Sequence, residues 1–252
     1  MSGTGVSGGA EVSRGAGVSR ADGVSSGAGI PAGETLLLLA RALDYPEADS
    51  AEIRDQLIQR LGQSRPETAS ALEAHRDAAS ALSLYQEQEV YAATFDVNPA
   101  VCLYAGYHLF GDSYQRGAFM AQLNGTYSEA GFSAGEELPD NLCVVLRFLA
   151  RCETIEEPLP SMEDGLDAWV RDLIDDAIVP ALKVIVRAFK DTKNPYAPLL
   201  QALLQTFDRS SADGRGDGTE SGRPRSRPLP VVQTNWPEDL ANTGAAPRPE
   251  PM

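Results

Sequence analysis

Apolar residues recur along this chain at the three- and four-residue spacing of amphipathic helices. The first stripe comprises Leu36, Leu39, Ala40 and Leu43. Tyr45 and Pro46 end it, and similar stripes follow throughout residues 31–209 without the alternation typical of strands. The pattern predicts an all-α protein, with a single helical bundle domain of about nine or ten helices.

Several helix boundaries carry start or stop signals. Ser64, with Glu67 three residues later, predicts a capping box, and Pro66 suits the first turn. Pro180 lacks an amide hydrogen, so the long helix that contains it is expected to kink or restart there. Asn194 is predicted to cap the last helix.

The two ends of the chain differ in composition from its middle. Residues 1–30 are rich in Gly, Ala and Ser, and residues 210–252 contain five Gly and seven Pro. Both segments hold too few large apolar residues to bury a core, so both are predicted to be disordered tails. The helical domain is then residues 31–209.

The charge of the chain lies mainly on this domain. There are 21 Lys and Arg against 36 Asp and Glu, a net charge of −15. The tails carry 0 and −1, which leaves −14 on residues 31–209. An acidic surplus argues against nucleic-acid binding and favours basic partners. The apolar runs are too short to span a bilayer and no secretory signal is evident, so a cytoplasmic protein is expected.

The sequence offers little for catalysis or metal binding. Neither His75 nor His108 has a Glu three residues before it, and the three cysteines contain no C-x-x-C pair. Motifs of nucleotide-binding enzymes and hydrolases are absent, so no catalytic residue and no metal site are predicted. His75 shares an apolar stripe with Leu72 and Ala79, and is expected at the edge of the core.

Residues 107–117 mix aromatic and polar side chains where helices break. Gly111 is expected to interrupt a helix there. Arg116 lies four residues after Asp112, at the spacing of a weak surface ion pair. Gly117 costs its helix about 1 kcal/mol relative to Ala, which a close crossing of two helices would explain.

A series of short motifs occurs in order along the middle of the domain. They are Tyr91-Ala92-Ala93-Thr94-Phe95-Asp96, Leu103-Tyr104, Tyr107-His108-Leu109-Phe110-Gly111-Asp112, Arg116-Gly117, Glu137-Leu138-Pro139-Asp140 and Leu146-Arg147-Phe148-Leu149-Ala150. Their order and spacing resemble those of the nitrate reductase delta subunit family, within the wider group of all-helical chaperones for molybdoenzymes. The resemblance spans residues 34–207 and is strongest over 91–150.

The resemblance implies a chaperone and no enzyme activity. Such proteins bind the immature catalytic (alpha) subunit of a respiratory nitrate reductase in the cytoplasm, typically through its N-terminal segment. They hold it competent for insertion of the molybdenum cofactor and for assembly of the complex. The resemblance therefore implies a part in nitrate assimilation, binding of an unfolded client, no resident cofactor and no insertion into the membrane.

The same motifs predict a groove for the client between helices. The residues expected to contact the client are Tyr107, His108, Gly111, Asp112, Arg116, Leu138, Pro139, Asp140 and Leu142. The residues expected to support the groove are Tyr91, Phe95, Asp96, Tyr104 and Gly117. Within this groove, Asp112 and Asp140 are expected to meet amide or cationic groups of the client. Leu138-Pro139-Asp140 is also expected to start a helix.

Three positions depart from the family pattern and leave the client open. Asn141 stands where the family often has His, Cys143 where it has Pro, and Arg147 where it has Glu. Related clients include selenate, chlorate, dimethyl-sulfide and ethylbenzene molybdoenzymes, and a general helical peptide-binding adaptor is a further alternative. An enzyme that uses His108 with Asp112 is a third possibility, which the intervening glycine disfavours.

Overall fold

A computed structural model of the chain describes residues 31–97, 101–155, 159, 165–190 and 192–207. Within these residues the secondary structure is helical, with a single antiparallel bridge. The α-helices are α1 (Gly33–Ala42), α2 (Ser50–Leu61), α3 (Pro66–Ser80), α4 (Leu84–Phe95), α5 (Ala105–Phe110), α6 (Tyr114–Glu129), α7 (Leu142–Cys152), α8 (Leu166–Leu173), α9 (Val179–Ala188) and α10 (Tyr196–Phe207). The predicted all-α fold is confirmed. The predicted tails lie outside the described residues.

The predicted apolar stripes form the core of the domain. Leu36 in α1 and Leu43 just after it have no exposed surface. Helix α7 is buried on most of its circumference, and Leu146 and Phe148 are also 0% exposed. Helix α7 packs along α1, which also contacts α2, while α3 packs between α2 and α10. The residues that lead into α7 are therefore anchored to the centre of the domain. No helix in the described part of the chain is long and apolar enough to cross a bilayer.

The interruption expected near Pro180 is present as a π-helical segment just before the proline. Residues Ile174–Ile178 make the π segment between α8 and α9, and the amide of Val179 bonds to the carbonyl of Ile174. Pro180 is the second residue of α9. The wider turn changes the carbonyl positions just before the proline ring, which would clash one turn back in a regular α-helix.

The predicted capping box at Ser64 is wrong. Helix α3 begins at Pro66, so Arg65 occupies the capping position and no side chain caps the helix. Proline at the first helical position decides where the helix starts, and the cap must be the residue just before it. The structure instead has a complete capping box at Ser83 and Gln86, at the start of α4. The cap at the last helix is confirmed, since the Asn194 Oδ1 accepts from the amide of Tyr196 at 2.9 Å.

A buried polar cluster lies among the helices on the α2 side. The Arg54 Nη1 lies 2.6 Å from the Glu87 Oε1, and these side chains are only 8% and 6% exposed. His75 is 1% exposed, so the expectation that it lies at the edge of the core is wrong. Its Nδ1 donates to the Pro195 carbonyl at 2.8 Å, and its ring centroid lies 5.5 Å from that of Tyr196. The stripe is covered by α10, a partner 120 residues away that periodicity does not reveal.

Burial makes His75 a source of acid sensitivity. Burial, together with the nearby charge of Arg54, lowers the pKa of His75 from 6.5 to about 4, although its bond to Pro195 opposes the shift. Between these two values the unfolded chain takes up a proton at this position and the folded chain does not. Stability that is present above pH 6.5 is therefore lost as the pH falls towards 4, by up to about 3 kcal/mol.

The His75→Gln protein is expected to lose this part of the pH dependence. In urea unfolding, the stability of the unmodified protein falls from pH 7 to pH 5 by about 2 kcal/mol through His75 alone. The decline should be smaller by that amount in the variant. Equal declines in the two proteins would contradict the assignment.

Candidate functional site

Two segments that the sequence places in one groove are joined through their backbones. The Ala105 amide donates to the Asp140 carbonyl at 2.8 Å, and the Leu142 amide donates to the Leu103 carbonyl at 2.8 Å. Tyr104 and Asn141 form the antiparallel bridge between these two bonds. The start of α5 is thereby attached to the start of α7, and the two motifs meet as predicted.

The helix breaks around this junction follow the expected pattern with one change. Helix α5 ends before Gly111, whose φ of +61° is in the region that favours glycine, so the predicted interruption is confirmed. Asp140 does not start a helix. Helix α7 begins at Leu142, and Asn141 caps it by accepting from the amide of Cys143 at 2.8 Å.

Asp140 instead forms an ion pair inside the junction. The Arg116 Nε donates to the Asp140 Oδ2 at 2.9 Å, with side-chain exposures of 14% and 0%. The Arg116 Nη1 also lies 3.5 Å from the Oδ1 of the exposed Asp112, which confirms the predicted local pair. Burial lowers the pKa of the Arg116 guanidinium, but the hydrogen bond and charge of Asp140 outweigh it and raise that pKa. The guanidinium thus joins a buried carboxylate to a surface one.

Two tyrosine rings lie against this guanidinium. The Arg116 Cζ is 5.5 Å from the ring centroid of Tyr104 and 5.6 Å from that of Tyr107, within the range of cation–π attraction. The Tyr104 hydroxyl donates to the Glu137 Oε1 at 3.1 Å. Burial, followed by the charge of Glu137, raises the pKa of Tyr104 to about 12, so its hydroxyl remains a donor at neutral pH.

The close approach that makes this arrangement possible occurs at Gly106. A Cβ placed on Gly106 would lie 2.7 Å from the Asp140 Oδ2, 3.0 Å from the Phe119 Cδ1 and 3.3 Å from the Arg116 Cγ. The expectation of a close crossing at Gly117 is wrong, because a Cβ there would have nothing within 4 Å. The sequence does contain a signal for the close approach at Gly106, which is the pair of small residues Ala105-Gly106 between Tyr104 and Tyr107.

His108 is held by the backbone of the loop that precedes α5. Its Nε2 donates to the Cys102 carbonyl at 2.7 Å and lies 3.7 Å from the Cys102 Sγ. Burial, then the charge of Arg116, lowers the pKa of His108, although the bond to Cys102 opposes this. The ring is therefore a neutral donor at pH 7. This nitrogen is bonded to the Cys102 carbonyl, and Gly111 ends the helix before Asp112. His108 and Asp112 therefore do not form a catalytic pair.

The predicted contact residues differ in how much surface they present. Asp112 and Leu138 are exposed, while Tyr107, His108, Gly111 and Arg116 are partly buried. Pro139, Asp140 and Leu142 are buried. In this conformation Asp140 presents no atom to a partner, and its physical effect is exerted through Arg116. We define the tyrosine surface as Tyr104, Tyr107, Asp112, Glu137 and Leu138.

The predicted supporting residues lie in two different places. Tyr104 belongs to the tyrosine surface, as described above. The rings of Tyr91 and Phe95 pack at 4.9 Å from each other and at 5.6 and 5.2 Å from Tyr196. This second aromatic cluster braces α4 against α10. Asp96 is exposed at the end of α4, and Gly117 is exposed on α6.

The three cysteines lie within the described part of the chain. Cys102 and Cys143 are buried and Cys152 is partly buried, and all three are free thiols. Burial raises the pKa of each, to about 12 for Cys152, so they are protonated at neutral pH. Among the described residues, no group of three or more His, Cys, Asp and Glu side chains is arranged to hold a metal ion.

The Gly106→Ala substitution is expected to destabilise the domain by about 1–3 kcal/mol, because the added methyl group overlaps the Arg116–Asp140 pair. The matched control is Gly117→Ala, in a helix with open space around the new atom, which is expected to be neutral or stabilising by up to about 1 kcal/mol. Chemical denaturation compares the two proteins. Similar changes for both substitutions would show that Gly106 is not the constrained position.

The sequence of the chain matches a family model and several known proteins. A family model described as "Nitrate reductase delta subunit" matches residues 55–182, which include the whole tyrosine surface. The chain is 28% identical over 174 residues to the nitrate reductase molybdenum cofactor assembly chaperone NarJ of Escherichia coli (strain K12), covering 68% of each chain. It is 32% identical over 191 residues to the probable nitrate reductase molybdenum cofactor assembly chaperone NarJ of Bacillus subtilis (strain 168), covering 71% of this chain and 94% of the relative. The chain therefore belongs to the nitrate reductase delta subunit family.

Proposed function

We propose that this protein is a chaperone that binds the immature catalytic subunit of a respiratory nitrate reductase and holds it competent for molybdenum cofactor insertion and complex assembly. The observation that carries the proposal is its membership of a family whose relatives in two bacteria are named as cofactor assembly chaperones of nitrate reductase. A chaperone of this kind acts by binding, and needs no catalytic residue.

The tyrosine surface has the properties that a peptide-binding site requires. Tyr107 and Leu138 supply apolar contact area, and Leu138 is 42% exposed. Asp112 and Glu137 place negative charge beside them, so a client segment with apolar and basic residues is complementary. Tyr114, two residues after Asp112 at the start of α6, is 91% exposed. We propose that the N-terminal segment of the catalytic subunit binds here.

Arg116 and Asp140 have a positioning role in this proposal. The buried carboxylate holds the guanidinium, and the guanidinium holds the two tyrosine rings. A site whose side chains are already ordered loses less conformational entropy on binding. Asp140 thus contributes to client binding without touching the client.

The proposal also includes the cellular location of the protein, the process in which it acts and an alternative client. The protein acts in the cytoplasm, in nitrate assimilation, without inserting into a membrane, before the catalytic subunit is docked there. A related molybdoenzyme, of the selenate, chlorate, dimethyl-sulfide or ethylbenzene type, is the second candidate client. The positions that bear on this choice are Asn141 and Arg147. Arg147 contacts Asp44 in the loop after α1, so its reversed charge is matched within the domain.

The proposed client can be tested by capture from cells. The full-length protein, carrying an affinity tag, is expected to recover the catalytic subunit of nitrate reductase when that subunit lacks its cofactor, and much less of it after the cofactor is inserted. Recovery is followed by mass spectrometry and by molybdenum content. Recovery of a different molybdoenzyme would identify the second candidate, and recovery of no molybdoenzyme would exclude the function.

The proposed surface can be tested by charge reversal. Glu136 is exposed next to Glu137, and Glu136→Lys is expected to slow association with a peptide of the client's N-terminal segment several-fold at low salt, with a smaller effect at high salt. The matched control is Glu89→Lys, an identical change at an exposed position of α4. Association rates come from stopped-flow measurements. Equal slowing by both substitutions would point to the overall charge of the domain, and no slowing by either would place the client elsewhere.

A further inference from the structure

A cleft of about 580 Å³ lies away from the tyrosine surface, between the start of α1, the end of α2 and the loop before α3. Its lining includes the apolar residues Ala32, Leu38 and Leu61 and the polar residues Gln59, Arg60 and Arg65. Among the described residues, the lining thus contains two guanidinium groups and no carboxylate, in a chain with a net charge of −15. The cleft therefore suits a segment that combines apolar side chains with carboxylates.

The C-terminal part of the chain starts at the edge of this cleft. The Arg65 Nη1 donates to the carbonyl of Gln205 at 3.1 Å, and Gln205 is two residues before the end of α10. Residues 208–252 follow, outside the described residues. They contain one segment with the required chemistry, residues 229–239, which holds Leu229-Pro230-Val231-Val232, Trp236 and Glu238-Asp239.

The other end of the chain is a poorer match. Pro31 lines the cleft, so the N-terminal residues 1–30 are joined to the domain at this cleft. These residues contain no aromatic side chain and carry no net charge. They offer neither an aromatic side chain to pack against Leu38 and Leu61 nor a surplus of carboxylates to pair with Arg60 and Arg65.

We propose that residues 229–239 bind in this cleft of the same molecule, with Trp236 against Leu38 and Leu61, and Glu238 and Asp239 beside Arg60 and Arg65. The connecting residues 208–228 could reach at most roughly 70 Å, which is ample for a site next to the end of α10. Such a connection gives an effective concentration on the order of millimolar, so weak intrinsic affinity is sufficient. Arg60 is available, since its pair with Glu34 is exposed and exposed pairs exchange at little cost.

Tryptophan fluorescence tests the proposal on the full-length chain. The chain has two tryptophans, and Trp169→Phe leaves Trp236 as the reporter while keeping an aromatic ring against Phe148. In this protein Trp236 is expected to emit at shorter wavelength, and to be quenched by acrylamide several-fold less, than in a free peptide of residues 225–243. Equal quenching in the protein and the peptide would overturn the proposal.

Charge substitutions then locate the contact. Glu238→Arg with Asp239→Arg is expected to raise quenching towards that of the peptide, and adding Arg60→Glu with Arg65→Glu should lower it again. The matched control, Asp213→Arg with Asp217→Arg, makes the same change of charge elsewhere in the C-terminal part and should leave quenching low. Loss of protection in the control, or no rescue by the cleft substitutions while circular dichroism is unchanged, would overturn the assignment. Protection that disappears on dilution would indicate a second copy of the chain as the binding partner and would also overturn it.

Discussion

A carboxylate with no exposed surface must be compensated where it lies, and the tyrosine surface depends on this requirement at Asp140. Arg116 meets it from α6, 24 residues earlier in the chain. Removing one partner of such a pair leaves an uncompensated buried charge, which destabilises strongly, whereas the intact pair adds little net stability. Its contribution is therefore geometric. The hydrogen bond to Asp140 holds the guanidinium, and the rings of Tyr104 and Tyr107 lie against it.

The same requirement operates at a second buried ion pair. Arg54 and Glu87 join α2 to α4 in a buried pair, and the cation disfavours a second charge at the adjacent His75. The apolar core supplies most of the stabilisation in a domain of this kind, but it does so without direction. The two ion pairs add directional contacts between elements that are distant in sequence. Helix α7 packs along α1 and helix α10 along α3, which is why these two helices are apolar on so much of their surface.

Local pattern was enough to predict the helices, because the spacing of apolar residues reports directly on which face is buried. It succeeded for the stripes of α1 and α7, for the interruption at Pro180 and for the break at Gly111. It failed where the deciding contact comes from another helix. Asp140 looks like a helix start because Leu-Pro-Asp is a common start signal, yet its partner, Arg116, lies on a preceding helix. Tertiary partners of this kind have no spacing rule, so the sequence indicated that the two segments meet but not which of their side chains face outwards.

The net charge alone does not reveal which charged side chains are paired within the domain and which determine the field outside it. Six arginines pair with carboxylates inside the described part of the chain: Arg41, Arg54, Arg60, Arg76, Arg116 and Arg147. These six cations are neutralised by carboxylates within the domain, and the surplus of carboxylates determines the field outside. In the proposed binding mode, that field acts over about 10 Å and affects the association rate of a basic client segment, whereas contacts with Tyr107 and Leu138 affect its dissociation rate. Because the Arg116–Asp140 pair is buried beneath the tyrosine rings, the outer carboxylates of this domain can be substituted without breaking it. In the proposed binding mode, the charges of Asp112 and Glu137 can therefore alter which client segment binds while the Arg116–Asp140 junction keeps its geometry.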